Sequence, residues 1–151
     1  MMKVYNTTRL AFQTAPVSLS RWKTVTAAFD QALADLHGFE QEFLEPARRA
    51  YQAVRDKWPG DYQPREGTLA QIQIEKASAV FEPVRARHAA LAGIVDDAAD
   101  DMLATPAPSI AAMAIKLRVA VEGECRGRRS AEENLRLLLA DAQRLSGEST
   151  G

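Results

Sequence analysis

Between Trp22 and Phe43 the apolar residues fall at Trp22, Val25, Phe29, Ala32, Leu36, Phe39 and Phe43, alternately three and four apart. That spacing draws one stripe down an α-helix and excludes a strand, whose side chains change face at every residue. The stripe resumes at Ala47, Ala50 or Tyr51, Val54 and Trp58, with one extra residue inserted near Pro46. A helix over residues 20–58 would be about 57 Å long at 1.5 Å per residue. Only residues 68–104 are long enough to supply a matching stripe. The sequence therefore predicts an all-α, bundle-like fold of four helices. Two of them pair in a long, kinked, antiparallel hairpin, coiled-coil-like in its pairing, and two shorter ones pack on it.

Local signals place the breaks. Pro16 with Ser18 or Ser20 marks the first helix start. Gly38 costs about 1 kcal/mol against alanine, yet the stripe runs through it. Pro46 removes a backbone hydrogen bond and costs ~3 kcal/mol in a straight helix. The stripe slips at the same point, which predicts a kink or a wide turn, with two separate helices as the alternative. Residues 58–67, Trp-Pro-Gly-Asp-Tyr-Gln-Pro-Arg-Glu-Gly, predict the turn of the hairpin. Thr68 then caps a second helix whose stripe is Ala77, Val80 or Phe81, Val84, His88, Leu91, Val95, Ala98 and Met102, with Pro83 inside it. In such a hairpin Pro46 and Pro83 fall within about 6 Å of each other along the axis.

Thr105-Pro-Ala-Pro-Ser109 stops the second helix, and Ile110, Met113, Ala114, Leu117 and Val121 give the third its apolar face. Gly123 and Gly127 bracket a break. Ser130-Ala-Glu-Glu133 is a capping box, followed by Leu135, Leu138, Leu139, Ala142 and Leu145 up to Gly147. Residues 1–17 show neither period and are expected to form an arm, either extended along the bundle or disordered. Residues 18–147 form the single domain and 148–151 a frayed tail.

The segment Leu103-Ala-Thr-Pro-Ala-Pro-Ser-Ile-Ala-Ala-Met-Ala-Ile-Lys-Leu117 resembles a phrase of small, mostly uncharacterised helical proteins of proteobacteria. There it reads Leu, two residues, Thr-Pro-Ala, then a helix ending in Lys-Leu; here a single residue separates Leu103 from Thr105. The resemblance implies a helical fold and a phage or mobile-element context, and supplies no catalytic residues.

Composition narrows the chemistry. A net charge of −1 argues against a chain whose main task is neutralising phosphates. One cysteine, Cys125, cannot form an intramolecular disulfide, and neither a signal-peptide pattern nor a membrane-length apolar run is evident, so the cytosol is the expected compartment. His37 and His88 follow Ala34 and Arg85 three residues back, so the Glu-x-x-His pairs of two-metal bundles are absent. No cofactor, metal or catalytic set is expected. Cys125 is best read as a passive thiol despite Arg126, Arg128 and Arg129 beside it. The turn Arg126-Gly-Arg-Arg129 before a helix invites a DNA-binding reading, but that helix opens with Glu132 and Glu133, which would face phosphates.

The candidate interaction residues are therefore Phe39, Phe43, Tyr51 and Phe81 on the hairpin, Trp58 and Tyr62 at its turn, Asp96 and Asp100, and Arg126, Arg128 and Arg129. Asp96-Asp-Ala-Ala-Asp-Asp101 combines like charges at i,i+4 with a helix C-terminus. A helical projection puts Asp97 and Asp101 beside the stripe, to be neutralised by Lys116, Arg118 or Arg136. It leaves Asp96 and Asp100 towards solvent as a docking face for a basic partner or a weakly held divalent cation. The leading functional expectation is a non-enzymatic protein that binds another protein or itself, as a homodimer. A small nucleic-acid-associated regulator using residues 126–129 is the alternative, and an enzyme with dispersed residues comes third. No membrane partner is expected.

Overall fold

The computed structural model describes residues 17–58, 60, 63–122 and 127–148; residues 1–16 of the expected arm, Tyr62, Cys125, Arg126 and residues 149–151 of the expected tail lie outside them. In chain order the elements are α1 (Leu19–Phe39), a π-turn (Glu40–Leu44), α2 (Glu45–Arg55), α3 (Leu69–Ala104), α4 (Ile110–Glu122) and α5 (Ala131–Glu148). Among the described residues there is no strand. α1, the π-turn and α2 form one uninterrupted helical rod that packs along α3. α4 and α5 pack on each other and on α3.

The capping signals act where the sequence places them. Ser18 accepts from the Arg21 N–H at 3.2 Å, Thr68 from Gln71 at 3.3 Å, and Ser109 from Ala112 at 3.2 Å. Each satisfies one of the donors a helix start leaves open. At α5 the box is reciprocal: Glu133 N–H donates to Ser130 Oγ at 3.2 Å, and Ser130 N–H donates to Glu133 Oε2 at 2.8 Å. α3 stops at Thr105, whose backbone is extended (ψ 127°), as the residue before a proline prefers.

The slip in the apolar stripe has a definite form. Glu45 N–H donates to Glu40 O, five residues back instead of four, so one turn carries the additional residue. In an α-helix the ring of Pro46 would press on the carbonyl of Glu42. The wide turn ends just before it and leaves Pro46 in the first positions of α2. The rod is one helix with a π-turn, and the two-helix alternative does not apply. Two cross-hairpin contacts bracket both prolines. Glu40 Oε1 meets His88 Nε2 at 2.8 Å, and Tyr51 stacks on Phe81 with centroids 5.3 Å apart. Pro46 lies between the first members of these pairs and Pro83 between the second, so both interruptions share one stretch of the hairpin.

The core is concentrated at one end. Trp22, Phe29, Ala32 and Leu36 of α1 pack with Val95, Ala99 and Met102 of α3, with Ala107 of the α3–α4 loop and with Ala112 of α4. Burying a large side chain of this kind contributes about 2 kcal/mol. At the other end, among described apolar residues from 40 to 85, only Leu44 and Ala70 are buried. The molecule is a four-helix body from which a two-helix hairpin projects.

Candidate functional site

The hairpin carries the expected aromatic residues Phe39, Phe43, Tyr51, Trp58 and Phe81, and none of these five is buried. Phe39 and Phe43 stack at 5.2 Å on the rod, and Tyr51 and Phe81 close the seam. Phe43 remains 49% exposed, while Phe39, Tyr51 and Phe81 are half-buried. Trp58, also half-buried, closes the end of α2.

The larger feature is a second apolar stripe on α3. Ala77, Phe81, Val84, His88, Leu91 and Val95 face the rod and are at least half-buried. Leu69, Ile72, Ala79, Val80, Pro83, Ala90 and Ile94 repeat at helical spacing about 120° around the axis from them. All seven are exposed, Val80 by 71% and Ile94 by 52%. Val80, one of two candidates for the inner stripe, thus belongs to the outer one, and Phe81 to the inner. On the rod, Phe43, Pro46, Ala50 and Ala53 are likewise exposed and stand about 110° from Leu44, Ala47, Tyr51 and Val54. The offset has the same sense on both helices, and the helices are antiparallel. Equal rotations on antiparallel helices point to the same side, so the two stripes form one face. α4 lies on the other side, across a crevice from Thr26 and Leu33 of α1. The outer stripe of α3 spans residues 69–94, about 37 Å, interrupted by Lys76 and Arg87.

The acidic cluster departs from expectation. Asp97 is 66% exposed on its side chain and Asp100 19%, the reverse of the projected order. The cause is the chain entering α5. Gly127 has φ +80°, and a Cβ there would collide with the Asp100 carboxylate. Arg128 N–H donates to Asp100 Oδ2 at 3.1 Å, and Arg129 Nη1 donates to Asp100 O at 2.6 Å. Arg128 Nε pairs with Asp97 Oδ1 at 3.1 Å on the surface. The neutralising cations therefore come from the arginine turn. Of those expected, Lys116 pairs with Asp141 and Arg136 with Glu132, while Arg118 lines a crevice against α1. Asp100 is a packing carboxylate and not a free docking group; Asp96 is half-buried. Arg128 and Arg129 face aspartates of their own chain.

A buried ion pair that spacing did not reveal closes the body. Lys116 is 1% exposed and is the largest fully buried side chain among the described residues. Its Nζ donates to Asp141 Oδ2 at 2.5 Å and to Thr105 O at 3.0 Å. Asp141 Oδ1 accepts from Ala107 N–H at 2.9 Å, and Arg144 donates to Ala107 O. Ala107 and Lys116 thus meet on one carboxylate of α5 while the Thr105 carbonyl holds the same ammonium, all three residues lying within the Thr-Pro-Ala…Lys-Leu phrase. With both carboxylate oxygens and two of the three ammonium donors engaged inside the chain, the pair serves packing.

An open crevice of about 590 Å³ lies between α1, α3 and α4, lined by Trp22, Phe29, Leu33, Met102, Ile115 and Val119, with the charged Asp30 and Arg118 added. Among the described residues no three His, Cys, Asp or Glu side chains gather as a metal site, and no helix is long and apolar enough to cross a membrane. No protein-family model, curated protein or solved structure matches the chain.

Proposed function

We propose that this protein is a non-enzymatic helical interaction module, working through the apolar face of its hairpin on another protein or on a second copy of itself. The observation that carries the reading is the outer stripe of α3 with Phe43 and the small residues of α2 beside it. An apolar strip of this length, edged by charged residues and left open, is what a helix-binding surface requires. Two further features agree with it. The buried charges are consumed in packing, and the Thr26 hydroxyl in the crevice is spent on the Trp22 and Lys23 carbonyls. The nucleic-acid alternative has less support, because Arg128 and Arg129 are engaged by Asp97 and Asp100. A photoreactive residue at Val80 tests the reading in cells of the native host. The expected result is one discrete protein adduct, self or foreign, that disappears when Ile72 and Ile94 are changed to glutamate. The absence of any adduct at Val80, Ile72 and Phe43 in turn would overturn it.

A further inference from the structure

Building on that reading, we infer that the occupant of the hairpin face is a second copy of this chain, packed hairpin on hairpin as an intermolecular four-helix bundle. Four observations favour this occupant. First, the projecting segment is two helices wide, and two such segments face to face make a four-helix bundle, in which every helix turns an apolar face to one common core. The body already has its four helices; the projection has half that number.

Second, the charge of the segment suits its own copy. Among the described residues 40–57 and 65–87 there are eight basic and seven acidic side chains. A strongly charged partner would find no complementary field there, whereas a copy brought up by a two-fold axis meets both signs. Third, the face carries large and small residues side by side. The Tyr51–Phe81 contact sets Ala50 and Ala53 of the rod level with Ala79 and Val80 of α3, so Val80 of one copy can enter the gap these alanines leave on the other at a close interaxial distance.

Fourth, the size is sufficient. Two helices side by side present a face about 20 Å wide, and at about 25 Å long the projection buries roughly 500 Å² per copy, or about 1,000 Å² in total. That is the lower bound for a specific interface, so association is expected to be concentration-dependent. Val80, the most exposed large apolar side chain among the described residues, lies near the middle of the outer stripe, where a two-fold axis would pass.

The test uses the full chain. Light scattering after size exclusion, from about 1 to 100 μM, should show the mass rising from one chain to two, as expected for an interface at the small end of the specific range. Val80→Glu and, separately, Ile72→Glu should keep the helical circular dichroism and hold the protein at one chain throughout. Ile115→Glu, exposed on α4, should leave the dimer unchanged. A Val80→Cys, Cys125→Ser variant should form a disulfide-linked dimer under mild oxidation. A chain that stays monomeric at the highest concentration would overturn the inference, whether the face is then open or covered by residues 1–16. So would a dimer indifferent to both glutamates. If the chain is monomeric while Val80 crosslinks to a single different protein, the self-association inference falls and the interaction reading stands. If neither crosslink nor dimer forms, both fall.

Discussion

Lys116 and Asp141 sit 25 positions apart, on different helices, and hold each other in the most enclosed part of the body. Removing one charge strands the other away from water. Asp141→Asn is expected to lower unfolding free energy by about 3–5 kcal/mol, while Lys116→Met with Asp141→Leu should recover most of it; urea denaturation of the three proteins decides this. Glu133 behaves differently because it is exposed. The backbone N–H of Ser130 is the main cause that holds its carboxyl below the ordinary value of 4.5, followed by the Ser130 hydroxyl and by Arg129 and Arg136. A carboxyl lowered in the folded state stabilises at pH above its unfolded value and stops doing so as pH falls through the folded one. The stability gap between the native chain and Glu133→Ala should therefore be full at pH 7 and shrink below 4.5. Residue-scale legibility was uneven for a physical reason. The caps at Ser18, Thr68, Ser109 and Ser130 depend on neighbours three residues away. Lys116 depends on a helix that local spacing cannot place, and it was assigned to the wrong aspartates.

At the scale of elements, the π-turn and Pro46 explain each other. Deleting Gln41 would return residues 40–44 to α geometry and keep the inner stripe in phase, because the additional residue would be gone. It would also set the Pro46 ring against the carbonyl four residues before it. The deletion alone is thus expected to destabilise the rod. Combining it with Pro46→Ala should restore stability, the two differing by about 3 kcal/mol in thermal or urea unfolding. Pro46→Ala in the intact chain should change little, since the wide turn already accommodates the ring. The slip of the stripe was legible in the sequence, because it is a phase error within one helix. Its form was not, since a kink, a wide turn and a break all shift the phase alike. The acidic cluster failed for the complementary reason. A helical projection shows which residues share a side of α3, but the burial of Asp100 is decided by the chain at residues 127–129 arriving there.

For the whole molecule, the uneven core implies uneven stability. Among the described residues the body holds one cluster of nine buried apolar side chains, whereas the projection has Leu44 and Ala70. Local opening should follow that difference. Amide exchange in α2 and in residues 69–85 is expected to be faster than in α1 and residues 91–104. Trp22, 7% exposed in the body, and Trp58 at the tip report the two ends separately. In Trp58→Phe and Trp22→Phe variants the urea transitions should not coincide, the tip melting first and shifting upward with protein concentration if two copies pair there. The hairpin itself was legible because its stripe is long and local. The outer stripe was not recognised, because exposed Leu69, Val80 and Ile94 acquire meaning only after Phe81 and Val95 are known to face the rod.

The Lys116–Asp141 pair also orders events during synthesis. Translation at about 5–20 residues per second places Asp141 in the chain about 1–5 seconds after Lys116. Through that interval the rod and α3 are already made, while the Thr105–Ala107 corner has no carboxylate to close on. Lys116 must stay in water until α5 arrives. α5, made after the rod, α3 and α4, is therefore the helix that locks the α3–α4 corner, and a nascent chain stopped short of Asp141 would carry that corner open.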